Sequence, residues 1–199
     1  MSSVRLTHPG RADRENDPLA ETTTAEEVIF DGRFMKLVRD SVRLPDGGES
    51  QRLFVCHSGA AAVVAVDASG SVYLERQWRH PLGRSFWELP AGKLDPNEPS
   101  LECAKRELHE ECGLSAAVWT RLGTLHTAIG YSNEAIEIFL AEGICEGEQM
   151  LDPGETLEVC RVPWEEALAM ASDGRITDSK TIAGLFWAQA HFASRRNAD

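Results

Sequence analysis

The stretch from Gly92 to Leu114, GKLDPNEPSLECAKRELHEECGL, constrains this chain more than any other. Pro99 suits the first helical position and keeps Glu98 out of helical geometry, which predicts a helix from near Pro99 to Cys112. Gly113 then supplies a C-terminal stop. Leu101, Ala104, Leu108 and Cys112 recur at three- and four-residue spacing and form one apolar stripe. Glu107, Glu110 and Glu111 share a neighbouring face, where like charges at this spacing repel by about 0.2–0.5 kcal/mol per pair. Such a cluster is either a solvated acidic face, the commoner case on a helix without context, or a set of oxygen ligands for a hard divalent cation.

The surrounding spacing favours the second reading. Gly92, five residues, Glu98, seven residues, Arg106-Glu107-Leu108, one residue, Glu110-Glu111, one residue and Gly113-Leu114 match every fixed position of the Nudix box. On these residues the chain resembles a Nudix hydrolase, of the family that cleaves nucleoside diphosphates linked to another group. The resemblance implies an α+β fold: an α/β/α sandwich with a mixed sheet, here preceded by a small N-terminal antiparallel sheet. It carries magnesium binding to Glu107, Glu110 and Glu111, with Mn²⁺ as a substitute. Glu98 becomes an auxiliary ligand or structural partner at the helix entry. Arg106 reads as an ion-pair partner that holds the glutamates rather than as a substrate ligand.

Flanking segments are similar to the ADP-ribose pyrophosphatase branch of that family. They are Glu75-Arg76-Gln77-Trp78-Arg79 followed by Pro81, Glu88 to Lys93, Gly130-Tyr131-Ser132-Asn133-Glu134, and Gly174 to Thr181. By this resemblance the Ala91 carbonyl is a metal ligand, Arg79 contacts the phosphate end of the substrate, and Glu88 supports the site. Glu88 lies in an apolar run with Phe86, Trp87 and Leu89, where an unpaired carboxylate is costly, so a metal or Arg106 is its expected partner. Glu107 and Glu111 carry catalysis together with a base from the acidic loop Asp152–Glu158. Glu155, before the strand LEVCRV, is the preferred base and Glu158 the second choice. Glu134 and Phe30 join the substrate set. Phe30 or Phe34 would offer an adenine slot, although both are more often core residues at such spacing. Trp78 and Trp87 read as core.

The implied reaction is hydrolysis of ADP-ribose, or related ADP-sugars, to AMP and ribose 5-phosphate. The alternatives are a Nudix pyrophosphatase for another substrate, such as GDP-mannose, coenzyme A or an oxidised nucleotide, and a non-catalytic ligand sensor on the same fold. The sensor is disfavoured because every acidic position of the box is present. A net charge of -12 argues against nucleic-acid and membrane-surface partners, both anionic. No apolar run reaches the roughly 20 residues of a membrane span, and the N-terminus has no signal-peptide core. Cys56, Cys103, Cys112, Cys145 and Cys160 are scattered, which suits buried thiols in a reducing cytoplasm.

Along the chain, residues 1–25 are polar and aperiodic and read as a flexible arm. Residues 26–57 alternate apolar and polar, with turns at Asp31-Gly32 and Asp46-Gly47-Gly48, and predict three strands near 26–30, 34–44 and 50–57. By the resemblance, residues 58–199 are expected to make the Nudix domain. The final helix, capped by Asp178, is expected to pack through Ile182, Leu185, Phe186 and Gln189. Val28, Ile29, Phe30, Phe34 and Leu37 on so small a sheet call for a covering partner, and the resemblance makes that a homodimer whose N-terminal strands help complete the neighbouring site.

Overall fold

The computed structural model describes residues 17–32 and 35–196. Phe34 and residues 1–16 of the expected arm lie outside them. The chain divides into two compact units. One contains the first three strands and His126–Glu134; the other contains Ala60–Leu125 and the chain from Ala135.

In the first unit, β1 (Thr22–Asp31), β2 (Met35–Arg43) and β3 (Glu49–His57) form an antiparallel sheet in that order. β1 begins at Thr22, earlier than the expected 26, and Thr22–Ala25 pair with Arg43–Ser41 of β2. The run of threonines is polar but β-branched, and branching favours the extended strand. The segment His126–Glu134 runs beside β3: the Val55 amide donates to the Tyr131 carbonyl at 2.8 Å, and the His57 amide donates to Asn133 Oδ1 at 2.8 Å. Phe30, one of the residues whose spacing suggested core, is 56% exposed on β1.

The second unit is built on β4 (Ala60–Val66), the apolar run AAAVVAV. Its alternate residues enter two cores: Ala60, Ala62 and Val64 on one face, Ala61, Val63 and Ala65 on the other. A strand buried on both faces needs apolar residues at every position, which is why its sequence does not alternate. The sheet runs β10-β5-β4-β9-β8, with β5 Ser71–Arg79, β8 Leu114–His126, β9 Ala135–Glu146 and β10 Leu157–Pro163. Two short strands, β6 (Arg84–Glu88) and β7 (Ala91–Lys93), pair with β5 and β4. β4 lies parallel to β9 and antiparallel to β5, so the sheet is mixed.

Helix α1 (Ser100–Cys112) covers one face through Cys103, Ala104 and Leu108. Helices α2 (Trp164–Asp173) and α3 (Ser179–Arg196) cover the other through Ala167, Met170, Leu185 and Ala188. Each fully buried leucine in these layers contributes about 1.5–3 kcal/mol. The buried face of α3 differs from the expected one, because Ile182 and Phe186 are exposed while Thr181, Gly184, Leu185 and Ala188 face inward. A Cβ at Gly184 would sit 2.6 Å from Leu89 Cδ1 and 3.1 Å from Val64 Cγ2, so α3 approaches the sheet through its smallest residues.

Candidate active site

Helix α1 starts after Pro99, which is extended (φ -64°, ψ 140°), and ends at Gly113 in the left-handed conformation (φ 65°). The carbonyls left over at its C-terminal end are taken up by the chain that follows β9. Met150 N donates to Glu110 O at 2.9 Å and Gly147 N to Gly113 O at 2.6 Å. The helix is thus held at its C-terminal end, and two of its three glutamates turn inward. Glu107 and Glu111 are buried rather than solvated.

Arg106 organises the entry of this helix. Its Nε and Nη2 donate to the two oxygens of Glu98 at 2.8 and 2.9 Å, and its Nη1 donates to Glu107 at 2.7 Å and Glu110 at 3.0 Å. The guanidinium holds Glu98 well below the usual carboxylate range, at about 2. Glu107 shifts the other way: burial pushes its pKa up and outweighs Arg106. Glu111 is also raised, first by burial and then by repulsion from Glu75 and Glu107, although it accepts the Ala91 amide at 2.8 Å. At Gly92 a Cβ would overlap the Glu107 carboxylate, so only glycine lets that group lie against β7.

Glu88 is 3% exposed and has other partners than those expected. Arg106 is fully engaged with Glu98, Glu107 and Glu110, and Glu88 receives Arg79 and Lys180 instead. Arg79 Nε and Nη2 donate to its two oxygens at 2.7 Å each, and Lys180 Nζ donates to Oε2. These bonds outweigh desolvation and lower the Glu88 pKa. The contact runs along the strand pair rather than straight across it: β5 and β6 pair Arg79 with Arg84 and Glu75 with Glu88, the Arg79 side chain reaches back to Glu88, and Lys180 reaches in from the first turn of α3.

Arg79, Ala91, Gly92, Arg106, Glu107, Glu110, Glu111 and Glu155 all line one cleft of about 340 Å³. Glu155 accepts a hydrogen bond from Gln77 Nε2 at 3.3 Å. Glu158 lies on β10, 70% exposed at the side chain and paired with Arg76. Phe30 and Glu134 belong to the other unit, where Glu134 accepts from the Thr127 hydroxyl at 2.6 Å. Trp78, read as core, is 58% exposed and lines a neighbouring cavity with Asp152–Thr156, whereas Trp87 does pack on the core.

Four residues of this region carried no assigned role in the sequence: Glu75, Gln77, Asp152 and Lys180. Asp152 and Gln77 line the cleft. Glu75 is buried behind Glu111 and accepts the Cys112 thiol at 3.3 Å; desolvation raises its pKa despite hydrogen bonds to both neighbours. Lys180 had a legible signal, since a cation in the first turn of a helix opposes the dipole and needs a reason to be there.

Among the described residues, no three His, Cys, Asp or Glu side chains stand already arranged around a metal position. Arg106 occupies Glu107 and Glu110, and the Ala91 amide occupies Glu111. The donor set nonetheless suits a hard divalent cation. It is all oxygen, and the mutual repulsion that raises Glu111 is what a cation would relieve.

The family model described as the NUDIX domain matches residues 57–185, and that of the nucleoside diphosphate sugar hydrolase N-terminal domain matches residues 21–54. An ADP-ribose pyrophosphatase of Bacillus subtilis (strain 168) is 38% identical over 173 residues, covering 86% of this chain and 94% of its own. One of Mycobacterium tuberculosis is 40% identical over 166 residues, covering 82% and 80%. The crystal structure of an ADP compounds hydrolase superposes with a TM-score of 0.77 at 21% identity, over 88% of this chain and 95% of that one, a likeness of fold.

Proposed function

The chain belongs to the Nudix family, and from that premise we propose that it hydrolyses ADP-ribose to AMP and ribose 5-phosphate with a divalent metal. The observation that carries this reading is the single cleft in which three carboxylates of α1 meet Arg79 and Glu155. The similarity to the ADP-ribose pyrophosphatases of Bacillus subtilis and Mycobacterium tuberculosis supports the choice of substrate.

In this reading Glu107, Glu110, Glu111 and the Ala91 carbonyl would hold Mg²⁺, or Mn²⁺ in its place, which would supply positive charge against the diphosphate and acidity to the attacking water. Arg79 binds the phosphate end of the substrate. Glu155 takes the proton of the water, with Gln77 holding its carboxylate in the cleft. Glu98 and Arg106 brace the entry of α1, and Glu88 braces Arg79. Glu158 points elsewhere, which favours Glu155 as the base.

Residues 26–57 are proposed as a dimerisation and substrate segment, which the pairing of Thr22–Ala25 extends back into the expected arm of residues 1–25, and 58–199 as the catalytic domain. The apolar side chains of Val28, Ile29 and Phe30 are exposed on β1, which supports a homodimer in which this segment, with Phe30 and Glu134, completes the neighbouring site. Activity is assigned to the cytoplasm, without nucleic-acid or membrane partners, in keeping with the net charge of -12. No helix of the described residues is long and apolar enough to cross a membrane.

The test is kcat/KM for ADP-ribose, ADP-glucose, GDP-mannose and NADH in the same Mg²⁺ buffer, with products identified. ADP-ribose is expected to lead. A preference of about tenfold for GDP-mannose or NADH, worth about 1.4 kcal/mol in the transition state, would sink the substrate assignment. Absence of turnover on all four would point to a ligand sensor. Light scattering that finds a fully active monomer would remove the dimer.

A further inference from the structure

The ion cluster behind Arg79 contains a cation that the proposed chemistry does not use. Lys180 is 7% exposed, although it lies in the first turn of α3. A buried ammonium there is opposed by both desolvation and the helix dipole, so carboxylates must compensate it. Two do: Lys180 Nζ donates to Glu88, and to Asp178 at 3.2 Å. Asp178 is already committed to capping α3, accepting the Thr181 amide at 2.9 Å and the Thr181 hydroxyl at 2.6 Å. The same hydroxyl accepts the Leu89 amide at 2.8 Å, which ties the start of α3 to the residue next to Glu88.

Glu88 therefore stands between two cations, Lys180 from the interior and Arg79 from the cleft. Arg79 spends its Nε and Nη2 on Glu88, while the half-exposed guanidinium also lines the cleft. We infer that Lys180 is a positioning residue for substrate binding: by sharing the charge of Glu88, it leaves Arg79 oriented and positively charged toward the diphosphate. Without Lys180, one carboxylate and one guanidinium neutralise each other. The pair would then show an anionic substrate little net charge, in a cleft that already holds Glu107, Glu110, Glu111 and Glu155. The inference rests on the reading of the cleft as a diphosphate site.

The experiment measures kcat and KM for ADP-ribose in Mg²⁺, together with the thermal unfolding midpoint. The proteins are the wild type, Lys180→Met, Lys180→Gln, Arg79→Ala and the double variant Arg79→Ala/Lys180→Met. Lys180→Met should raise KM about tenfold while kcat stays within about threefold, the split left by weakening a charge-assisted contact made before the chemical step. Lys180→Gln keeps a donor for Glu88 without the charge; it should give the same split and serves if the methionine variant does not fold. Because Lys180 acts through Arg79, the double variant should be no worse than Arg79→Ala. A lower unfolding midpoint with unchanged KM in both Lys180 variants would make the lysine purely structural and overturn the inference. An unchanged KM in Arg79→Ala would instead remove the reading of Arg79 on which it rests.

Discussion

Replacing Glu88 with glutamine keeps the shape of the side chain and removes the anion on which two cations converge. Arg79 is half-exposed and can turn to water, whereas Lys180 is buried and has only Asp178 left, at 3.2 Å. Removing one partner of a buried ion pair costs about 3–5 kcal/mol, because the remaining charge is left in a poor solvent. The residual contact with Asp178 puts the expected loss at the lower end, about 3 kcal/mol. For a domain of this size each kcal/mol lowers the melting temperature by about 2–4 °C, so Glu88→Gln should melt about 6–12 °C below the wild type. Adding Lys180→Met removes the stranded ammonium and should recover most of that loss, leaving the double variant within about 1–2 kcal/mol of the wild type. Calorimetry or circular dichroism on the four corners of the cycle measures both steps. A Glu88→Gln protein within about 1 kcal/mol of wild type, or a double variant worse than the single, would refute the claim that a buried uncompensated cation sets the cost.

Gly92→Ala should lower kcat/KM by about 10²-fold, since the added methyl displaces the Glu107 carboxylate; a steady-state assay showing less than about a threefold loss would contradict the close approach. Glu111→Gln should abolish metal-dependent turnover while leaving the melting temperature in chelator equal to or above that of the wild type, because it deletes a carboxylate whose ionisation burial and Glu75 oppose. In the folded state Glu111 and Glu75 hold their protons more tightly than in the unfolded chain, so metal-free stability should fall as pH rises above the ordinary carboxyl range, and saturating Mg²⁺ should flatten that slope in urea titrations between about pH 5 and pH 9. Glu155→Gln should reduce kcat by about 10²–10⁴-fold, whereas Glu158→Gln should leave it nearly unchanged; the reverse order would move the base to β10.

Much of the second unit could be read from local chemistry. Pro99 and Gly113 bracket α1, and AAAVVAV states its own burial on two faces. The glutamate spacing alone leaves a solvated face open; the packing of α1 on the sheet buries two of the three carboxylates, Glu107 against the bare backbone of Gly92 in β7. What escaped depends on distant pairing. Glu88 could be seen to need a partner, but its partners arrive from β5 across a strand pair and from a helix some ninety residues later, which no local pattern specifies. On α3 Leu185 packs inward as its spacing predicts, but close packing on the sheet selects Gly184 and Ala188 beside it and leaves the larger Ile182 and Phe186 outside. The polarity of Thr22–Ala25 points away from a strand, yet pairing with β2 makes them one.

The backbone bond from Met150 to the end of α1 puts the proposed base on a short leash. Met150 is pinned to Glu110, Leu157 is pinned opposite Gln77, and Glu155 lies between these two moorings. Five residues of fully extended chain span at most about 16–18 Å, so the Cα of Glu155 cannot stray farther than that from Met150. Gly154, at φ 90°, is the one link here whose backbone turn an ordinary side chain would resist. The reach of the carboxylate is therefore set by loop length, and adding or removing residues between Met150 and Leu157 would retune it without touching α1.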